Sequence, residues 1–204
     1  MAGRPRGVDD AAILRAAVEV IGRVGPAGLT LAAVAGEVGL VPGTLVQRFG
    51  SKRGLLVALA ATAVQEPEAL YARARPGHVS ALAALGAFAV GSMSEMSTPE
   101  RFANHLAFLC VDLTDPELHE HALAVHRAQG RVIELLLDEA AAGGELRAGT
   151  DTRALARTVR AVVTGTGLSW ALDREGTLPD RLRQEIRAVL APHIGKGEEE
   201  LWEN

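Results

Sequence analysis

The sequence predicts an all-α fold, and three observations carry that prediction. Hydrophobic residues make up 48% of the chain but aromatic residues only 3%, with alanine abundant. No stretch alternates Val, Ile, Thr and Tyr in the period-two manner of a half-buried strand. Apolar residues instead recur at spacings of three and four between segments punctuated by Gly, Pro, Ser, Thr and Asp. At 204 residues the chain is long enough to bury a sizeable core, as one large helical domain or as a small N-terminal domain joined to a larger one.

The first helix is expected to start at Asp9 or Asp10, whose carboxylates can cap free amides, and to bury Ile13, Ala17, Val20 and Val24. Gly25-Pro26-Ala27-Gly28 ends it. Thr30 offers its hydroxyl as the cap of a short helix whose inner face is Leu31, Val34, Ala35 and Val38. Gly39 can take the left-handed conformation that stops this helix, and Leu40 plugs the corner from inside. Pro42 suits the first turn of the next helix, where its missing N–H costs nothing, and Leu45 and Phe49 face the core one turn apart.

Ser51 caps a longer helix carrying Leu55, Leu56, Leu59 and Val64, with Pro67 expected to kink it and Arg75-Pro76-Gly77 to close it. Further helices are expected over about Val79–Met96, Pro99–Leu113, Pro116–Ala142, Thr152–Arg174 and Pro179–His193, about nine in all. The uncharged stretch from Pro76 to Ser94 is too rich in Ala, Gly and Ser for a membrane span, and reads as a buried helix. The acidic segment 196–204 reads as a frayed tail.

Charge divides unevenly. Residues 1–56 carry seven Lys and Arg against four Asp and Glu, a net +3, which leaves −7 of the formal −4 on the remainder. A basic head on an acidic body suits a head that meets a polyanion. The single cysteine, Cys110, sits in the apolar stretch Leu106–Val111, where a buried thiol in a reducing cytoplasm is expected. Arg4 and Arg6 are followed by no apolar run, so a secretory signal is not expected.

Two short helices joined by a tight turn at Gly39 are the ingredients of a helix-turn-helix, whose second helix enters a DNA major groove about 12 Å wide. Its N-terminus must be small for the backbone to approach the duplex, and Pro42, Gly43 and Thr44 meet that demand. The linked spacing of Leu29-Thr30-Leu31, Val34-Ala35, Val38-Gly39-Leu40, Gly43-Thr44-Leu45, Phe49 and Ser51-Lys52-Arg53-Gly54-Leu55-Leu56 resembles the tetracycline-repressor (TetR) family over roughly residues 9–60.

The resemblance implies a three-helix DNA-binding domain over 1–56 and an effector-binding and dimerisation bundle over 57–195. It implies phosphate contacts by Thr30, Thr44 and Lys52, and places Ala32, Pro42, Gly43, Gln47 and Arg48 nearest the base edges or flanking phosphates. Chemistry agrees, since hydroxyls and ammonium groups at helix starts suit an anion, and Gln and Arg can read adenine and guanine. Arg4 and Arg6 would add contacts from a flexible arm. Two residues depart from the pattern: Val46 stands where the family has a phosphate-binding tyrosine, and Val41 where it has a polar cap. Each lost hydroxyl is worth about 1 kcal/mol of binding.

In the body, Phe88, Met93, Met96, Phe102, His105, Phe108 and Trp170 are core residues of any bundle and also candidates to line an effector cavity. Leu155, Val159, Val162, Val163 and Thr166, with Leu182, Ile186, Val189 and Leu190, form stripes that similarity to the family implies are a four-helix interface between two copies. His105, His119, His121 and His126 lack the spacing to share a metal ion. There are no paired carboxylates, no nucleophile–base pair and no phosphate loop, so neither catalysis nor a cofactor is expected. The expected function is a cytoplasmic homodimeric regulator that binds double-stranded DNA and answers to a small-molecule effector. Its rival is a helical ligand-binding or enzymatic protein with a vestigial head.

Overall fold

Three of the side chains read as caps perform that task. The structure, a computed structural model, describes residues 8–194; Arg4, Arg6 and the segment 196–204 lie outside them. Asp9 Oδ1 accepts the Ala12 amide at 2.7 Å to start α1 (Asp10–Gly28), and Thr30 Oγ1 accepts the Ala33 amide at 3.0 Å to start α2 (Leu31–Glu37). Pro42 opens α3 (Pro42–Phe49), and Ser51 Oγ accepts the Gly54 amide at 3.1 Å at the start of α4 (Lys52–Ala63). Gly39 has φ of 68°, so the chain turns there without the penalty a side chain would bring.

The chain divides into two compact units, the first built from the residues through Thr62 together with 103–122. Its core is Ile13, Ala17, Val20, Ile21, Leu29, Val34, Ala35, Leu45, Leu55 and Leu118, all nearly inaccessible. Burial of this many aliphatic side chains, each worth about 1.5–3 kcal/mol, holds the short helices, which would not survive alone. Val24 departs from expectation at 45% exposure. Gly25 (φ 70°) breaks α1 immediately after it, and Ile21 takes the inner position instead. Asn104 secures this break by donating Nδ2–H to the Gly22 carbonyl at 2.9 Å.

The second unit contains α5 (Glu66–Ala74), α6 (Ala81–Ser92), α9 (Thr152–Asp173), α10 (Leu178–Leu190) and the part of α8 (Pro116–Ala142) beyond Ala122. Pro67 does not kink a long helix; it lies in the first turn of α5, where its ring is harmless, and the chain turns before it. Helix α6 is apolar nearly all round and central, as its uncharged sequence requires, with Leu82, Leu85, Phe88 and Ala89 buried against Val132, Leu136, Val159, Leu182 and Ile186. Two acidic residues tie the unit together. Glu145 accepts from Ser80 Oγ and from the amides of Ala81 (2.7 Å) and Leu82 (3.1 Å), capping α6 from 63 or more residues away. Glu139 accepts from Tyr71 Oη at 2.7 Å and Arg75 Nε at 2.5 Å; burial pushes its carboxyl up, and those two donors more than offset this.

Helix α7 (Pro99–Asp112) buries little beyond Phe102 and Asp112. Cys110 is therefore exposed rather than the core thiol its apolar neighbours imply, since Leu106, Leu109 and Leu113 beside it also face outward. Among the described residues no helix is long and apolar enough to cross a membrane, and no group of three His, Cys, Asp or Glu is placed to hold a metal ion.

Candidate nucleic-acid interface

Helices α2 and α3 meet at the Gly39 corner, where the Leu40 amide reaches back to the Ala35 carbonyl at 2.9 Å. Val34 and Ala35 of α2 and Leu45 of α3 are fully buried, and Leu40 and Phe49 pack at their edge. This anchoring turns the other side of α3 outward: Val41, Pro42, Gly43, Val46, Gln47 and Arg48 are all exposed. Val41 is 68% exposed and Val46 50%.

The tip is open in a way the fold itself does not require. A Cβ on Gly43 would meet nothing within 4 Å, and its φ is not in the left-handed region, so neither packing nor backbone geometry demands glycine there. No side chain caps α3; Pro42 has no N–H, and the Thr44 amide bonds the Val41 carbonyl at 3.0 Å. Among the described residues the Gly43 amide has no hydrogen-bond acceptor, and it lies at the positive end of a helix.

The flanking candidates divide into three groups. Thr30 and Ala32 lie exposed at the start of α2, and the Thr30 hydroxyl keeps its own proton to donate while its oxygen caps the helix. Lys52 at the start of α4 donates one N–H to the Pro26 carbonyl at 2.5 Å, which fixes its ammonium beside the α1–α2 turn and leaves two protons for another acceptor. Arg48 is not aimed outward with Gln47: its Nη1 lies 2.7 Å from the Val8 carbonyl and 3.0 Å from Asp10 Oδ1, bracing α3 against the start of α1.

Several residues that hold this site were given no role of their own in the sequence reading. A Cβ on Gly54 would collide with the Phe49 carbonyl, so glycine is what lets α4 start against the end of α3. Arg53 bonds Asp115 through Nε (2.9 Å) and Nη2 (3.0 Å) and also pairs with Glu117 (2.8 Å). Asp115 lies just before the Pro116 that opens α8, a place that suits a helix cap, but nothing local names its arginine.

The effector candidates are less unified. Phe88, Phe102 and Trp170 are buried in the second unit's core, with Met93 and Met96 packed against it, and Trp170 donates to the Gly176 carbonyl at 3.2 Å. Phe108 packs at the edge of the first unit's core, and His105 is half-buried. A groove of about 760 Å³ along α9 and α10 is lined by none of these seven. The stripe expected to face a second copy is mostly internal: Leu155, Val159, Val163, Thr166, Leu182, Ile186 and Leu190 are buried within the chain's own core, with Val162 and Val189 half-buried. The outward side of α9 is instead Arg157, Ala161, Gly165, Leu168 and Leu172. Helix α9 carries apolar residues on more than one side: Leu155, Val159, Val163 and Trp170 fill the core, while Leu168 and Leu172 face outward.

Comparisons with known proteins agree with this architecture. Residues 13–59 match the family model described as bacterial regulatory proteins, tetR family, and residues 109–186 match one described as a tetracyclin repressor-like C-terminal domain. No curated protein matches the chain by sequence. Among solved structures, a TetR-family transcriptional regulator from a Rhodococcus species is 24% identical, with 89% of this chain and 96% of that one covered and a TM-score of 0.69. SmeT, the repressor of the Stenotrophomonas maltophilia multidrug efflux pump SmeDEF, is 23% identical over 94% of this chain and 93% of its own, with a TM-score of 0.66. A transcriptional regulator from Saccharomonospora viridis in complex with choline is 17% identical over 92% and 98%, with a TM-score of 0.74. At these identities the structures show a shared fold.

Proposed function

The chain belongs to the tetR family of bacterial regulatory proteins and is a DNA-binding transcriptional regulator; on that premise we propose that it is a ligand-responsive repressor that binds a palindromic operator as a homodimer. The observation that carries the DNA-facing reading is the bare tip of α3. A solvent-facing Gly43, unneeded by the fold and flanked by exposed Val41, Val46 and Gln47, is a surface shaped for close approach by something outside the chain.

In this reading residues 1–56 form the DNA-binding head and 57–195 the effector-binding and dimerising body. Thr30, Thr44 and Lys52 hold phosphates and set the register, while Ala32, Pro42, Gly43 and Gln47 lie against base edges. Val46, in place of a hydroxyl donor, presents methyl groups that suit a thymine methyl in the groove. Arg48 acts first as a brace through Val8 and Asp10, and reaches DNA only by giving up those partners. Two heads on one dimer occupy successive major grooves about 34 Å apart.

The effector is a small molecule taken up by the body in the cytoplasm, and it releases DNA by binding better to a dimer state with the wrong head spacing. The choline bound to the Saccharomonospora regulator and the efflux pump under SmeT control support small-molecule responsiveness in this fold.

Selection of bound fragments from random duplex DNA tests the proposal. A two-fold symmetric consensus is expected, with Lys52→Ala weakening all sequences alike and Gln47→Ala changing the preferred base. Binding without any sequence preference would contradict it.

A further inference from the structure

Arg48, in the last turn of α3, is the only charged side chain of that helix, and the chain neutralises it. Its Nη1 has two protons, and each has an acceptor at the start of α1: the Val8 carbonyl at 2.7 Å and Asp10 Oδ1 at 3.0 Å. Asp10 is not needed to cap α1, because Asp9 performs that task through the Ala12 amide. The pair also adds little to stability, since the Arg48 side chain is 32% exposed and that of Asp10 64%. Its main consequence is the charge it takes from the helix that carries the bare tip. Lys52 gives the contrast: it is held by the neutral Pro26 carbonyl, so its ammonium keeps its full charge.

A recognition helix meets base edges with its N-terminal residues, so Arg48, at the opposite end, lies nearer the phosphate backbone. A free guanidinium there releases one more counterion and strengthens binding to every sequence alike. Joined to Asp10 it brings no net charge, and the carboxylate beside it repels a phosphate. We propose that Asp10 is a positioning residue that withholds Arg48 from the DNA backbone and so sets how much of the affinity is independent of sequence. This deepens the DNA-binding reading given above and rests on it. With Arg48 held back, Lys52 supplies the backbone charge beside α3, and the uncharged tip with Gln47 supplies the choice of bases.

The test is a double-mutant cycle in the full chain, with Asp10→Ala, Arg48→Ala and the double variant D10A/R48A. Duplex affinity is read by fluorescence anisotropy at several salt concentrations, on the selected duplex and on a scrambled one, with circular dichroism as the check on folding. Asp10→Ala is expected to bind both duplexes on the order of tenfold more tightly at low salt. Its affinity should fall about threefold more than that of wild type between about 50 and about 200 mM salt, the signature of one added phosphate contact. Both changes should vanish when Asp10→Ala is made in the Arg48→Ala background. Asp10→Asn, which keeps the shape of the side chain without its charge, should behave as Asp10→Ala does. A gain of the same size with and without Arg48 would assign the effect to the lost carboxylate alone and overturn the proposal. A gain confined to the selected duplex would make Arg48 a reader of bases and overturn it too. Asp10 variants that bind like wild type would also end it while leaving the DNA-binding reading intact, whereas a wild type that binds neither duplex at low salt removes that reading and the proposal together.

Discussion

Arg53 grips Asp115 with two parallel hydrogen bonds, Nε to Oδ2 at 2.9 Å and Nη2 to Oδ1 at 3.0 Å, joining the first turn of α4 to the start of α8. The same Asp115 Oδ1 accepts the amides of Glu117 and Leu118 at 3.1 and 3.3 Å. One carboxylate thus caps a helix and holds the element that follows the recognition helix. The Arg53 hydrogen bonds, ahead of those from the α8 amides, hold the Asp115 carboxyl below its usual range.

Asp115→Ala removes both tasks and Arg53→Ala only one, so the aspartate variant is expected to melt at the lower temperature. Because the folded state depresses the Asp115 pKa, its contribution is present above the unfolded value of about 3.9 and is lost as pH falls through the folded one. The gap in thermal midpoint between wild type and Asp115→Ala should therefore close in strong acid. Equal effects of the two variants at neutral pH would show that the cap contributes no more than the Arg53–Glu117 pair, which Arg53→Ala also removes.

Asp112 shows the opposite sign. It is only 8% exposed, its Oδ1 has no hydrogen-bond partner, and burial, with the Asp115 charge adding to it, pushes its carboxyl up to about 6. The folded state holds this proton more tightly than the unfolded chain, so stability falls as pH rises from about 4 to about 6 and stays reduced above that. Asp112→Asn is expected to raise stability by about 2 kcal/mol near pH 8 and to change it little near pH 4, read from urea midpoints across that range. A difference independent of pH would mean that Asp112 does not titrate in this window.

Gly43 in the first turn of the recognition helix and Gly54 in the helix after it should respond differently to one methyl group. Gly54→Ala forces a Cβ into the Phe49 carbonyl and is expected to cost about 2 kcal/mol or more. Gly43→Ala meets open space and gains helix propensity, so it should be neutral or more stable by up to about 0.5 kcal/mol. Chemical denaturation of both variants checks the contrast.

In the second unit, Glu145→Ala leaves the Ser80 hydroxyl and two amides at the start of α6 without their acceptor. A loss of about 2 kcal/mol is expected, because these bonds run to a charged group. A loss within a few tenths would mean that water replaces the carboxylate freely.

The corners of the head were legible because local chemistry decides them: Asp9, Thr30 and Ser51 cap, Gly39 turns, and Pro42 starts. What was not legible depends on distant partners. Asn104 at the α1 kink, Asp115 on Arg53 and Glu145 on α6 lie 62 or more residues from the groups they hold. Helical periodicity also cannot say which apolar side of a helix meets its own core. In α7 the apolar run around Cys110 faces outward, and in α9 the ridge from Leu155 to Trp170 faces in. Arg48 shows the same limit, since its position suits DNA while its guanidinium lies on Val8 and Asp10.

The most direct measurement is the affinity of the full chain for its selected duplex, by fluorescence anisotropy, for wild type and for Gly43→Glu. The variant is expected to fold like wild type, since the tip has room for the side chain, and to lose affinity on the order of a hundredfold, about the worth of two groove or phosphate contacts. A Gly43→Glu protein that binds the duplex as tightly as wild type would contradict the placement of α3 against DNA.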